Sequence, residues 1–132
     1  MKKEGQPITI LAVDDEPGVL ALVRRCLDDE RVTLLEASSG KEALEHVSKG
    51  LVLDLLVTDL RMPEMAGDEL ARQLRIRQPG LKVLYLTGYA DGLFVAKQEL
   101  SAGEAYLEKP FTREDLWEAA ALLVYGHTKA PR

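Results

Sequence analysis

The sequence has little cysteine and an excess of negative charge. Cys26 is its single cysteine, so an intramolecular disulfide and a cysteine-based metal site are both excluded. There are 17 lysines and arginines against 22 aspartates and glutamates, which gives a net charge of -5. A negative net charge disfavours binding to the phosphate backbone of nucleic acids. Nucleic-acid binding is therefore disfavoured, and any chemistry has to use carboxylates, hydroxyls and amines.

A long hydrophobic run is also missing near the N-terminus. The apolar run Ile8–Val13 is short and is followed by two aspartates, which neither a signal-peptide core nor a membrane span tolerates. We therefore expect no membrane association and a cytoplasmic location. A chain of 132 residues with 46% hydrophobic residues is typical of one globular domain. We expect this domain at residues 7–125, between an N-terminal tail at 1–6 and a C-terminal tail at 126–132.

Five short apolar runs predict strands. They are Ile8–Val13, Val32–Ala37, Leu53–Thr58, Leu81–Thr87 and Glu104–Leu107. The first, third and fourth are nearly unbroken, as is typical of parallel strands buried on both faces. Parallel strands need crossover helices, so the alternation of strands with helices predicts an α/β fold, a doubly wound (βα)5 three-layer sandwich. We expect a five-stranded parallel sheet of order 2-1-3-4-5.

The segments between these runs carry apolar residues at helical spacing. The first helix is predicted from its apolar stripe, which consists of Val19, Leu22, Val23, Cys26 and Leu27. A third helix is predicted over Gly67–Arg77, with Leu70 and Leu74 facing inward. The weaker pattern of Gly92–Ala102 predicts a helix there as well.

Two pairs of residues have the spacing of a helix capping box. Ser39 with Glu42 predicts the start of the second helix, which is expected to stop at Gly50. Thr112 with Asp115 predicts the start of the last helix. Its apolar residues recur on one side and are expected to face inward: Leu116, Ala119, Ala120 and Leu123.

Reactive side chains follow four of the five predicted strands. Asp14 and Asp15 follow the first, Asp59 the third, Thr87 the fourth and Lys109 the fifth. Taken singly, Asp15 and Thr87 are also typical helix caps, Asp59 a turn residue and Lys109 a surface lysine. Ligands of a doubly wound sheet bind beyond the carboxyl ends of the strands, where the strand order reverses. The joint placement of these residues therefore favours a functional site.

Three carboxylates at one rim repel one another, so we expect a cation among them. Oxygen donors without nearby His or Cys favour a hard divalent ion, Mg2+ or Mn2+. His46 falls on the second predicted helix and His127 in the C-terminal tail, so neither is a predicted ligand. A carboxylate such as Asp59 can attack a phosphoryl group, while Lys109 and Thr87 hold the remaining oxygens.

Four motifs surround these residues. They are Val13-Asp14-Asp15-Glu16, Asp59-Leu60-Arg61-Met62-Pro63-Glu64-Met65-Ala66-Gly67, Leu86-Thr87-Gly88-Tyr89 and Tyr106-Leu107-Glu108-Lys109-Pro110-Phe111. The chain thereby resembles the receiver domain of two-component response regulators from Ile8 to about Val124, and this family has a flavodoxin-like fold. The short segment Ser101–Tyr106 and the stretch Thr87–Asp91 are more similar to receivers of hybrid sensor histidine kinases.

The resemblance implies roles for the residues at the rim. Asp59 would be the phosphoacceptor, and Asp14 and Asp15 would position Mg2+ with help from the backbone carbonyl of Arg61. Lys109 would pair with the acidic cluster and then with the phosphoryl oxygens.

The resemblance also implies a conformational switch. Thr87 would move toward the phosphoryl group on activation, and Tyr106 would swing inward behind it. The peptide bond between Lys109 and Pro110 is expected to be cis. Ordinary core packing is the alternative interpretation for Tyr106 and for Phe111.

Two residues at the border of the site are expected to tune the lifetime of the phosphoryl group. Arg61 lies two residues after Asp59, and Tyr89 lies two residues after Thr87.

The function implied by the resemblance is that of a phosphoacceptor domain in a two-component or phosphorelay system. A histidine kinase or histidine phosphotransfer protein would donate to Asp59, and the modified domain would change its surface for a downstream protein partner. We expect a monomer or a weak phosphorylation-dependent dimer, without nucleic-acid or membrane contacts. No enzymatic activity is expected beyond self-catalysed phosphorylation and hydrolysis of the aspartate.

Three alternatives remain at this point. The domain can act as a phosphate sink, as a constitutive docking module, or as a hydrolase that passes through an aspartyl phosphate. Such hydrolases usually carry a second acid two residues after the nucleophile, where this chain has Arg61. We expect no output domain in this chain, because only a short tail follows the last predicted helix.

Overall fold

A computed structural model describes residues 2–3, 5–88 and 102–126. Within these ranges the strands are β1 Ile8–Val13, β2 Val32–Ala37, β3 Leu55–Asp59, β4 Lys82–Thr87 and β5 Glu104–Glu108. The helices in the same ranges are α1 Pro17–Cys26, α2 Gly40–Ser48, α3 Gly67–Arg77 and α4 Arg113–Tyr125. The helix predicted over Gly92–Ala102 falls outside the described residues, apart from Ala102, which lies in a turn.

The five strands form one parallel sheet of order β2-β1-β3-β4-β5, which confirms the predicted fold class and strand order. Apolar side chains from β1, β3 and β4 are buried on both faces of the sheet. One face packs against α1 and α4, and the other packs against α2 and α3. The result is the three-layer sandwich that the nearly unbroken apolar runs predict.

The bounds of three strands differ from the predicted ones by one or two residues. β4 begins at Lys82 rather than at Leu81. β3 begins at Leu55 rather than at Leu53, because the N–H of Leu53 donates to the side-chain oxygen of Gln78 at 2.8 Å instead of joining the sheet. β5 continues to Glu108. Leu27 follows α1 as its C-terminal cap and is nevertheless buried, so the predicted apolar stripe is correct at that end.

The two predicted capping boxes have different outcomes. At α4, the Thr112 hydroxyl accepts the N–H of Asp115 at 3.1 Å, and the Asp115 carboxylate accepts the N–H of Thr112 at 2.9 Å. At α2, the Ser39 hydroxyl accepts the N–H of Glu42 at 3.2 Å, but the carboxylate of Glu42 accepts from the Ser38 hydroxyl. The capping box at α2 is therefore only half formed, because the Ser38 hydroxyl takes the carboxylate of Glu42 that would otherwise accept the N–H of Ser39.

Helix α4 is buried on two sides, whereas the spacing of its apolar residues indicates only one. It contacts β3, β4 and β5 as well as α1, so two sides of the helix are covered. Trp117, Ala121 and Val124 are buried in addition to the predicted inward residues. None of the helices in the described ranges is long and apolar enough to cross a membrane.

The loop from β3 to α3 is tightly packed against the end of β3. Gly67 opens α3, and its N–H donates to the carbonyl oxygen of Leu60 at 2.9 Å. A Cβ at Gly67 would overlap the backbone carbonyl of Asp59. Within the loop, Glu64 has a φ of 69°, and the N–H of Met65 donates to the carbonyl of Pro63 at 2.7 Å, which makes a γ-turn. The backbone at the end of β3 thus has little room to move.

We expect Gly67→Ala to lower the free energy of unfolding by about 1–3 kcal/mol, because the added methyl group has to displace the backbone at Asp59. Gly18→Ala is the matched control. Gly18 lies in α1 with open space around it, so the same change is expected to raise the stability by up to about 1 kcal/mol through helix propensity. Urea unfolding of both variants measures the two effects. Equal effects of the two substitutions would contradict the close packing at Gly67.

Candidate functional site

The carboxyl ends of β1, β3, β4 and β5 lie at one edge of the sheet, because all the strands are parallel. This edge brings together the five predicted rim residues. Asp14, Asp59 and Thr87 are almost fully buried, with 1%, 6% and 3% exposure, whereas Lys109 is half-buried and Asp15 is exposed. Polar side chains that are buried at the edge of a largely apolar core need specific partners there.

The ammonium group of Lys109 lies between two of the carboxylates. Its Nζ is 3.2 Å from Oδ2 of Asp14 and 3.4 Å from Oδ1 of Asp59, and it donates to both. The backbone N–H of Lys109 donates to the carbonyl of Thr87 at 2.8 Å, which extends the pairing of β5 with β4 up to the site. The peptide bond from Lys109 to Pro110 is cis. The ammonium group of Lys109 thus pairs with the buried carboxylates of both Asp14 and Asp59.

The start of α1 holds Asp14 in place. Oδ1 of Asp14 accepts the N–H of Glu16 at 2.9 Å, and the N–H of Asp14 donates to the carbonyl of Ala37 at 3.2 Å. Glu16, rather than Asp15, occupies the N-terminal cap position of α1, and no side chain caps that helix end. The capping interpretation of Asp15 is therefore wrong, and its side chain points to solvent beside the other two acids.

One carboxylate oxygen from each of Asp14, Asp15 and Asp59 lies within 4.8 Å of the other two. All three donors are oxygen atoms that carry negative charge, and this donor set fits a hard divalent cation. Arg61 lies two residues after Asp59 in the exposed loop before α3. His46 lies on α2, where a ring nitrogen is 3.1 Å from the carbonyl oxygen of Glu36. His127 is outside the described residues.

Burial and the neighbouring charges together shift the pKa values of these groups. Burial, followed by the charge of Asp14, raises the pKa of Asp59 from 3.8 to about 6, and Lys109 only partly opposes this. Burial also raises the pKa of Asp14 above its ordinary value, although the N–H of Glu16 and the ammonium of Lys109 favour the charged form. Burial alone would lower the pKa of Lys109, but the two carboxylates outweigh it and the pKa is raised.

The predicted switch residues belong to β4 and β5, two of the strands that end at this cluster. Thr87 ends β4 next to the site, and Tyr106 lies one strand away in β5, half-buried against the core layer of α2 and α3. Phe111 is buried in the other core layer, as the packing interpretation predicts. Tyr89 is outside the described residues.

Sequence reasoning missed a residue beside Tyr106. Tyr85 is buried in β4, and its ring centroid is 5.3 Å from that of Tyr106. The signal that would have revealed it is a lone tyrosine in an aliphatic strand, since a buried hydroxyl needs a hydrogen-bond partner.

An apolar groove lies on the α1 side of the site. Its volume is about 290 Å³, and it is lined by Val19, Leu22, Gly88, Lys109, Pro110 and Phe111. Lys109 therefore connects the groove with the acidic cluster.

Comparison with known protein families gives one clear match. The model of the response regulator receiver domain matches residues 10–121. Among solved structures, a response regulator receiver domain protein from Clostridium thermocellum superimposes with a TM-score of 0.75 and 31% identity, covering 89% of this chain and 94% of that one.

Two curated relatives show the same similarity within longer proteins. The sensor kinase CckA of Brucella abortus is 38% identical over 109 residues, which are 82% of this chain and 12% of that protein. The transcriptional regulatory protein GlrR of Escherichia coli is 34% identical over 117 residues, which are 86% of this chain and 26% of that protein. The chain thus spans about a quarter or less of the length of these two relatives.

The raised pKa of Asp59 makes stability depend on pH in a defined direction. The fold disfavours the charged carboxylate, so the penalty is nearly absent below pH 3.8, grows up to about pH 6 and stays constant above that. In metal-free buffer we expect Asp59→Asn to be more stable than wild type by about 3 kcal/mol at pH 8, and by less than about 1 kcal/mol at pH 4. Urea unfolding at both pH values measures the difference. Equal stability of the two proteins at pH 8 would contradict the charge conflict.

Proposed function

This chain belongs to the response regulator receiver domain family of two-component signalling, and we propose that Asp59 is the residue that accepts the phosphoryl group. The family is regulatory, and histidine kinases or phosphotransfer proteins interact with its members. The observation that carries the proposal is the shared ammonium group of Lys109, which holds Asp59 beside Asp14 at the carboxyl edge of the sheet. We take residues 7–125 as the domain, with tails on either side.

Asp59 is suited to attack phosphorus. With a pKa of about 6, its carboxylate is mostly deprotonated at neutral pH but remains basic for an aspartate. One of its oxygens forms a bond to phosphorus while the bond from phosphorus to the donor's imidazole nitrogen breaks. Lys109 keeps its proton, because the neighbouring carboxylates raise its pKa, and it pairs with a phosphoryl oxygen after the transfer.

Asp14, Asp15 and Asp59 would hold Mg2+, or Mn2+, with the backbone carbonyl of Arg61 as a further ligand. When bound, the ion supplies positive charge that offsets the carboxylates and the transferring oxygens. The family binds Mg2+ at its acidic pocket, and the all-oxygen donor set of this chain fits the ion.

Phosphorylation would act through Thr87 and Tyr106. The hydroxyl of Thr87 is at the end of β4 and within the buried rim, so it can turn to a phosphoryl oxygen. Tyr106 then follows inward and alters the surface for a downstream protein. Arg61 and Tyr89, which follow Asp59 and Thr87 by two residues in the sequence, would tune the lifetime of the phosphoryl group.

The phosphodonor would be a histidine kinase or a histidine phosphotransfer protein. A donor protein whose histidine reaches Asp59 has to contact the carboxyl edge of the sheet, and the apolar groove beside Lys109 offers a surface for that protein.

We propose a monomer or a weak phosphorylation-dependent dimer in the cytoplasm, without nucleic-acid or membrane contacts. The alternative function is a role as a phosphate sink or as a constitutive docking module. Arg61 in place of a second acid disfavours a hydrolase, and beyond self-catalysed turnover we propose no enzymatic activity.

We expect one phosphoryl group to add to the wild-type chain on incubation with acetyl phosphate and Mg2+, and none without the ion. Asp59→Asn is expected to add none under either condition, because it lacks the nucleophilic carboxylate. Intact mass spectrometry measures the addition. The matched control is Asp28→Asn, which removes an exposed carboxylate after α1 and should behave like wild type.

Addition that persists in Asp59→Asn would contradict the assignment of the nucleophile. Equal addition with and without Mg2+ would contradict the role of the acidic cluster in holding the ion.

A further inference from the structure

Tyr85 is a buried phenol in the middle of β4. It is 3% exposed, and both of its neighbours along the strand are leucines. Its hydroxyl donates to Oε2 of Glu104, the first residue of β5, at 3.1 Å. Burying a hydroxyl without a partner is costly, so this hydrogen bond determines where the tyrosine ring can lie.

Glu104 connects Tyr85 to helix α3. The same Oε2 atom accepts from Nη1 of Arg75 at 3.0 Å, and Arg75 also donates to the carbonyls of Leu81 and Gly103 at 3.0 and 3.3 Å. The side chains of Arg75 and Glu104 are only 22% and 12% exposed, so solvent screens their pairing weakly. We name Tyr85, Glu104 and Arg75 the tyrosine clamp.

The ring of Tyr85 lies directly beside Tyr106. The two residues are register partners in β4 and β5, with ring centroids 5.3 Å apart and ring planes tilted by 31°. Both rings belong to the core layer between the sheet and α3. Side chains alternate along a strand, so Thr87 is the next residue of β4 on this same face. A movement of Tyr106 toward Thr87 therefore runs along the ring of Tyr85.

We propose that Tyr85 is a positioning residue for the switch, because the tyrosine clamp holds its ring against Tyr106 and favours the observed orientation of Tyr106 before phosphorylation. The role of Tyr106 in this inference rests on the proposed function. Without its hydroxyl, the ring of Tyr85 loses the hydrogen bond to Glu104 and restrains Tyr106 less firmly. Tyr106 then adopts, in part of the unmodified protein, the orientation that it has after phosphorylation of Asp59. The orientation of Tyr106 therefore differs less between the unmodified and the phosphorylated protein.

Fluorine NMR of protein labelled with 3-fluorotyrosine tests this inference. The chain has four tyrosines, and Tyr106→Phe identifies the Tyr106 signal. The signal is compared between the unmodified protein and the protein with beryllium trifluoride and Mg2+, a stable analogue of the phosphoryl group. The test variant is Tyr85→Phe, and the matched control is Tyr125→Phe. Tyr125 loses a hydrogen bond of the same length, 3.1 Å to the carbonyl of Gln6, in the opposite core layer.

We expect the Tyr106 signal of unmodified Tyr85→Phe to move toward the modified wild-type position by at least about a quarter of the full wild-type change. Arg75→Lys keeps the charge but loses the paired geometry, so it should move the signal in the same direction by less. Tyr125→Phe should leave the signal in place. A purely structural effect of either substitution would have no reason to follow the direction of activation in both Tyr85→Phe and Arg75→Lys.

The inference is overturned if the Tyr106 signal of Tyr85→Phe coincides with wild type or moves away from the modified position. It is also overturned if the wild-type signal does not change on modification. Intact mass after acetyl phosphate separates the two proposals. Normal phosphorylation with an unmoved Tyr106 signal rejects the clamp alone, whereas absence of phosphorylation at Asp59 rejects the proposed function.

Discussion

Two buried carboxylates share one ammonium group at the carboxyl edge of the sheet, and the other features of the site follow from this imbalance of charge. Asp14 and Asp59 meet because the strand order places β1 beside β3. Lys109 reaches both from β5, two strands beyond β3. Burial disfavours the charged form of Asp59, and one positive charge cannot neutralise two negative ones there, so the pKa of Asp59 is raised and the cluster attracts further positive charge. The same imbalance fits the divalent cation that we propose for this site, and that cation would in turn offset the negative charge of a phosphoryl group.

The fold and the rim residues were predictable because they depend on local patterns and one rule of topology. Unbroken apolar runs indicate parallel strands, and in a parallel sheet every strand ends at the same edge. Asp14, Asp59, Thr87 and Lys109 were therefore placed together without knowledge of a single contact. The bounds of α3 and the full capping box at Thr112 follow from local sequence as well.

The features that were not predicted depend on contacts between residues far apart in the chain. The late start of β3 results from hydrogen bonds between Gln78 and the segment before the strand, across more than twenty residues. The tyrosine clamp depends on the register of β4 against β5 and on the position of α3. Neither can be inferred from the sequence of a single strand. Local periodicity likewise identified only one buried side of α4, since the second side is set by its contact with α1. In each case tertiary packing decides what the local pattern leaves open.

Titration of the Asp59 side-chain carboxyl carbon by NMR, with and without Mg2+, tests the charge imbalance most directly. Asp59→Asn identifies its signal. In metal-free buffer we expect the carboxyl to titrate with a pKa of about 6. With saturating Mg2+ the pKa should fall below the ordinary value of 3.8, because the cation favours the charged form. A pKa near 3.8 that Mg2+ does not change would contradict both the buried charge conflict and the metal site.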